Sequence, residues 1–159
     1  SVLKQKRTTS KAEFINTANQ IYVETINFLP AFLQGIPPDT EPVAKLAGEI
    51  IDHAEKANSI FPSDVQRIEL RKAHLLEARA SLMALDVRLT HVYLILNQNP
   101  EGAFTTSKGV AVKSNDAIEK LDKMAKLGEL IDKENELLKG AIKKCKCKNE
   151  ILTSKLGVP

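Results

Sequence analysis

Apolar residues along this chain recur at helical spacing in four separate segments, and none alternates in the manner of a strand. In the first segment Phe14, Ala18, Ile21, Thr25, Phe28 and Phe32 follow one another in steps of four and three, so they line one face of a helix. Ile15, Tyr22 and Leu29 extend that face into a second, adjacent stripe. Ser10 and Glu13 have the spacing of a capping box at its start. Pro30 lacks an amide donor and is expected to kink or end the helix, and Gly35-Ile36-Pro37-Pro38-Asp39 reads as a loop. A second helix is expected from about Thr40, with Pro42 in its first turn and Val43, Leu46, Ile50, Ala54 and Ala57 inward, ending before Phe61-Pro62.

The third segment has the longest pattern. Ile68, Leu75, Leu82, Leu89 and Leu96 recur every seven residues, and Ala78, Leu85 and Val92 stand three residues after three of them. Such a seam packs against other helices. Ser63 and Gln66 have capping-box spacing at its start, and Asn97-Gln98-Asn99-Pro100 ends it. A connection of about 14 residues, Pro100 to Lys113, is long for a bundle and contains Phe104 in a polar run. The fourth helix is expected from Ser114-Asn115, with Ile118, Leu121, Met124, Ile131, Leu138 and Ile142 inward and Gly128 and Asn135 interrupting. Stripes this narrow do not stabilise a helix alone. The fold expected is therefore all-α, an antiparallel four-helix bundle over residues 11–142, with basic tails at 1–10 and 143–159.

Charge adds to this picture through its placement. The 159 residues carry 23 Lys+Arg and 20 Asp+Glu, a formal charge of +3. Residues 1–11 contribute +4 through Lys4, Lys6, Arg7 and Lys11, and residues 140–159 another +4 through a lysine-rich run that includes Lys143 and Lys144. The body between them is thus −5. Four of the five arginines, Arg67, Arg71, Arg79 and Arg88, lie on the third helix with Lys72. Guanidinium forks suit phosphate or carboxylate, so this helix is a candidate recognition face. Glu69, Glu77 and Asp86 share it, and a solvated, salt-bridged face remains the open alternative.

Motifs for chemistry are scarce. The sequence has no phosphate-cradling glycine loop, no H-E-x-x-H and no G-x-S-x-G. His53, His74 and His91 lack the Glu three residues earlier that a di-iron bundle needs. Glu49 and His53 are expected to form an exposed helix pair. Cys145-Lys146-Cys147 supplies at most half a zinc site, and its lysines would favour reactive thiolates. An incidental surface pair is the expectation, with no catalytic residue, metal or cofactor. The aromatic residues of the first helix are read as core and not as base-stacking platforms. Two cysteines, the lack of an apolar run of membrane-spanning length and a start without a hydrophobic stretch behind its lysines lead us to expect a cytoplasmic protein.

Three stretches carry a family resemblance: Ile21-Tyr22 with Phe28-Leu29-Pro30 and Phe32; Leu75-Leu76-Glu77-Ala78-Arg79-Ala80-Ser81-Leu82 with Leu85, Arg88 and Leu89; and Leu121, Met124, Leu127-Gly128 and Leu130-Ile131. Over roughly residues 14–139 the chain resembles the Avd-like family, the accessory variability determinants of diversity-generating retroelements. Relatives of that family are encoded in intervening sequences of large-subunit ribosomal RNA genes. The resemblance implies a non-enzymatic helper that forms a ring-shaped pentamer, binds RNA or DNA and associates with a reverse transcriptase. On that reading Arg67, Arg71, Lys72, Arg79, Arg88, Lys4, Lys6, Arg7, Lys143 and Lys144 would neutralise phosphates without reading sequence. An oligomeric protein-interaction scaffold without nucleic-acid binding is the alternative, suggested by the acidic body together with apolar stripes that could serve a partner beyond one bundle's needs.

Overall fold

The computed structural model describes residues 12–32, 37–98 and 114–146. All four expected helices are present: α1 (Glu13–Phe32), α2 (Pro37–Ser59), α3 (Val65–Gln98) and α4 (Ser114–Lys143), and no strand occurs among the described residues. Each helix packs extensively against the next in sequence, and α4 returns onto α1. The four inward stripes therefore meet in one core.

The stripes read from the sequence supply that core. Phe14, Ala18 and Ile21 are buried from α1, and Ile68, Leu75, Ala78, Leu82, Leu85, Leu89 and Val92 from α3. In α2 the buried face is Val43, Ala47, Ile50, Ala54 and Ala57, with Leu46 only half-buried beside it. Three alanines on one face let α2 approach its neighbours closely. In α4 the buried residues are Met124, Leu127, Ile131, Glu134 and Leu138, whereas Ile142 is half-buried.

The helix ends depart from expectation in instructive ways. Helix α1 continues two residues past Pro30. Proline there forfeits one hydrogen bond in the last turn only, so the cost is confined to the helix end. Helix α2 starts at Pro37, three residues before the expected Thr40, with both prolines of the supposed loop inside its first turn. The first four amides of a helix have no intrahelical acceptor, so proline loses nothing there. This earlier start also moves Pro42 from the first turn into the helix interior.

At the start of α3 the cap is Asp64 and not Ser63: the Arg67 amide donates to Asp64 Oδ1 at 2.9 Å. The expected box fails because Ser63 is drawn into the preceding turn, where its amide donates to the Phe61 carbonyl at 2.8 Å. Ser10, the expected cap of α1, and the 100–113 connection with Phe104 lie outside the described residues. Tyr22 departs from its expected core position. It is 37% exposed, lying against the edge of α2 near Gly48. No helix among the described residues is long and apolar enough to cross a membrane.

Candidate nucleic-acid interface

The five cations expected on α3 do not form one strip. Arg67 is exposed and bound locally, its Nη1 donating to Ser63 Oγ at 2.7 Å and standing 3.7 Å from Asp64 Oδ2. Arg71 is half-buried and its Nη1 donates to the Ile60 carbonyl at 3.0 Å, which ties α3 to the end of the α2–α3 turn. Arg79 is also half-buried, its Nε donating to Asn135 Oδ1 of α4 at 2.9 Å. Arg88 is exposed, nine residues beyond Arg79. At about 3.6 residues per turn, nine residues place the two on opposite sides of the helix. Lys72 is half-buried. Arg67 pairs with an acid at its own helix end, while Arg71 and Arg79 bond to uncharged oxygens, so neither the continuous cationic face nor the wholly salt-bridged one describes α3.

The structure gathers cations at one end of the bundle instead. An open groove of about 470 Å³ lies between the beginning of α1, the α2–α3 turn, the first turns of α3 and the end of α4. Arg71, Lys144 and Lys146 line it, over a floor that includes Phe14, Pro62, Leu137 and Ala141. Two carboxylates, Glu13 and Glu136, also border it. Each is engaged by a lysine outside the groove: Lys133 Nζ lies 3.1 Å from Glu13 Oε1 and Lys139 Nζ lies 3.3 Å from Glu136 Oε1. These exposed pairs are individually weak, and each places a further lysine beside the carboxylate that borders the groove.

Ala12 lines the same groove. The described chain therefore enters and leaves its bundle here, so segment 1–11, with four basic residues and no acid, is attached at this end, as is 147–159 with Lys148 and Lys155 against Glu150. Lys143 and Lys144 are both exposed at the close of α4, while Lys4, Lys6 and Arg7 lie outside the described residues. Cys145 forms part of the groove wall and its thiol contacts the Ala141 carbonyl at 3.4 Å. Cys147 lies outside the described residues, and among the described residues no three His, Cys, Asp or Glu side chains converge as metal ligands.

Two polar features were not anticipated. His53 and Glu49 are not an exposed pair; both are half-buried and reach across to α3. His53 Nδ1 and His74 Nδ1 stand 3.1 Å apart, a hydrogen bond in which the ring carrying its proton on Nδ1 is the donor, and Ser81 Oγ donates to Glu49 Oε2 at 3.0 Å. Burial, followed by the nearby His53 and Lys56, lowers the pKa of His74 below its ordinary 6.5, against an opposing pull from Glu77. The pair is invisible in sequence because its members are 21 residues apart on different helices.

The second feature is Glu134, which is 0% exposed on the inner face of α4. Neither carboxyl oxygen finds a hydrogen-bond partner among the described residues. Burial pushes its pKa up from 4.5 to about 8, with only Lys133 pulling it back. Here the sequence did hold a signal. Glu134 stands three residues after Ile131 and four before Leu138, squarely on the apolar stripe. Scans against protein-family models, curated proteins and solved structures gave no match, so the reading of this site rests on its own geometry.

Proposed function

We propose that this protein is a non-enzymatic nucleic-acid-binding accessory protein that works beside a reverse transcriptase of a diversity-generating retroelement. The observation that carries nucleic-acid binding is the convergence at one bundle end of Arg71, Lys144 and Lys146 with both junctions to the basic segments. A net charge of +3 spread over the whole surface would hold a polyanion weakly. Three cations gathered at one bundle end, extended by the basic segment 1–11, can follow a phosphate backbone better than charge scattered over the surface. Among the described residues the groove holds no stacked aromatic pair, so its role is phosphate neutralisation without base readout. We further infer that the helices run antiparallel. The pairing of Glu13 with Lys133 supports this, since the start of α1 meets the latter half of α4, and α3 meets α4 at Arg79 and Asn135 and, further along α3, at Leu89 and Tyr93 beside the earlier Met124. The link to a reverse transcriptase is supported by the family resemblance alone.

The test is RNA and single-stranded DNA binding across a salt series, comparing the native chain with Arg71→Gln/Lys144→Gln/Lys146→Gln. Binding should fall steeply with salt. In the triple variant the slope of log affinity against log salt should shrink by roughly 0.7–0.9 for each phosphate that is no longer neutralised. Arg88→Gln, on the far side of α3 from Arg79, should leave affinity unchanged. A native chain that fails to bind at low salt, or a triple variant that binds like the native chain, rejects the groove. Co-purification of a co-expressed reverse transcriptase after nuclease treatment tests the second half of the proposal.

The alternative reading, a protein-interaction scaffold, is favoured by a separate observation: α3 carries large apolar side chains on its solvent-facing side, Leu76, Val87 and Leu94 among them.

A further inference from the structure

The turn between α2 and α3 presents an aromatic ring beside the basic groove. Phe61 is 77% exposed, the most open of the large apolar side chains among the described residues. Its backbone is nevertheless pinned. The Ile60 amide donates to the Ala57 carbonyl at 3.2 Å, and the Ser63 amide donates to the Phe61 carbonyl itself at 2.8 Å. Arginines hold the turn on both sides of the ring: Arg71 Nη1 donates to the Ile60 carbonyl at 3.0 Å, and Arg67 Nη1 donates to Ser63 Oγ at 2.7 Å. Pro62, the residue after the ring, lines the groove together with Arg71. The carboxylate of this turn, Asp64, is engaged as the cap of α3 and stands 3.7 Å from the Arg67 guanidinium.

We propose that Phe61 is a stacking platform for an unpaired base, so that this end of the bundle takes single-stranded nucleic acid in preference to duplex. The proposal rests on the reading of the groove as a phosphate-binding site and adds to it the strand type that the site selects. Inside a duplex both faces of a base are covered by its neighbours, whereas a single strand can lay a base on an exposed ring. Arg67 and Arg71, anchored on the two sides of Phe61, are placed for the phosphates that flank such a base. A ring on a pinned turn has little backbone freedom left to lose on binding. The surroundings favour a nucleic acid over a partner protein. Asn58, Ser59, Ser63 and Asp64 around the ring are all exposed and polar, with Val65 following at the start of α3, whereas an aromatic anchor for a protein sits in a well-packed, desolvated patch. Every base has a π-face, so stacking here adds affinity without reading sequence.

Two probes of equal length and phosphate charge separate stacking from neutralisation: an oligothymidylate and the corresponding abasic strand. Fluorescence anisotropy with the full-length chain at low salt should show the oligothymidylate bound roughly five- to a hundredfold more tightly than the abasic strand. Phe61→Ala should lose that preference while keeping its affinity for the abasic strand, which also shows that the variant is folded. Phe61→Tyr retains an aromatic face and should stay within a few-fold of native on both probes. Duplex DNA should bind native and Phe61→Ala alike. If the abasic strand binds with steep salt dependence but the oligothymidylate binds no more tightly, or if Phe61→Ala leaves the preference intact, the stacking proposal fails and the groove stands; the ring is then a protein contact. If Phe61→Ala weakens both probes equally, the ring supports the groove and is no platform. A native chain that binds neither probe at low salt overturns the groove and the platform together.

Discussion

Replacing Glu134 by glutamine should remove the loss of stability that this carboxyl causes as pH rises from 5 to 8. The carboxyl is fully buried, unpartnered among the described residues and shifted from 4.5 to about 8. Below pH 4.5 it is protonated in both folded and unfolded chains and contributes no slope. Between 4.5 and 8 the unfolded chain releases its proton while the folded chain keeps it, so stability falls as pH rises. Above 8 the folded chain must ionise a buried group, and the loss is complete. At 1.36 kcal/mol per pKa unit, the full loss is about 5 kcal/mol, of which about 3 kcal/mol is already incurred at pH 7. That is a large share of a typical domain's 5–15 kcal/mol.

Urea unfolding followed by circular dichroism at half-unit steps from pH 4 to 9 measures the effect. The native protein should lose stability relative to Glu134→Gln by about 1.4 kcal/mol for each pH unit within the window. The difference between the two proteins cancels the contribution of the histidines. Glu134→Leu should follow the same pH profile as Glu134→Gln and be more stable than native at pH 7 by a few kcal/mol, since it replaces an unpaired buried polar group by an apolar one of similar size. A native-minus-glutamine difference that stays constant with pH, or that favours the native protein as pH rises, would refute the reasoning.

Two further outcomes follow from a half-buried histidine and a helix cap. His74 is held below 6.5, so the opposite sign applies: stability is intact above pH 6.5 and falls as acid protonates the unfolded chain first. His74→Gln should flatten that acid limb in the same urea series; an unchanged limb would assign it elsewhere. Asp64→Ala removes the oxygen that receives the Arg67 amide and should cost about 1 kcal/mol in unfolding free energy, while Ser63→Ala should cost less; the reverse order would return the cap to Ser63.

The residues themselves show where sequence reasoning reached and where it stopped. Met124, Ile131 and Leu138 could be assigned inward because a helix repeats every 3.6 residues, and that period is local. The same rule names Glu134, once spacing is allowed to outweigh side-chain polarity. Prolines misled in the other direction. Pro37 and Pro38 look like loop residues, yet a helix's first turn accommodates them. The candidate site was legible only in part. Charge counting found the basic segments and the arginine-rich helix, but not that Arg71 would converge with Lys144 and Lys146, nor that Arg79 and Arg88 would part to opposite sides.

The sequence by itself determined four amphipathic helices, their inward faces and a body more acidic than its ends, because each of these follows from spacing along one chain. Tertiary structure alone decided which charges share a groove, which histidines touch, and which apolar side chains of α3 are left facing water. Those outcomes depend on how helices far apart in sequence are set against one another. The period of a single helix says which residues share a side, and only packing says what that side meets.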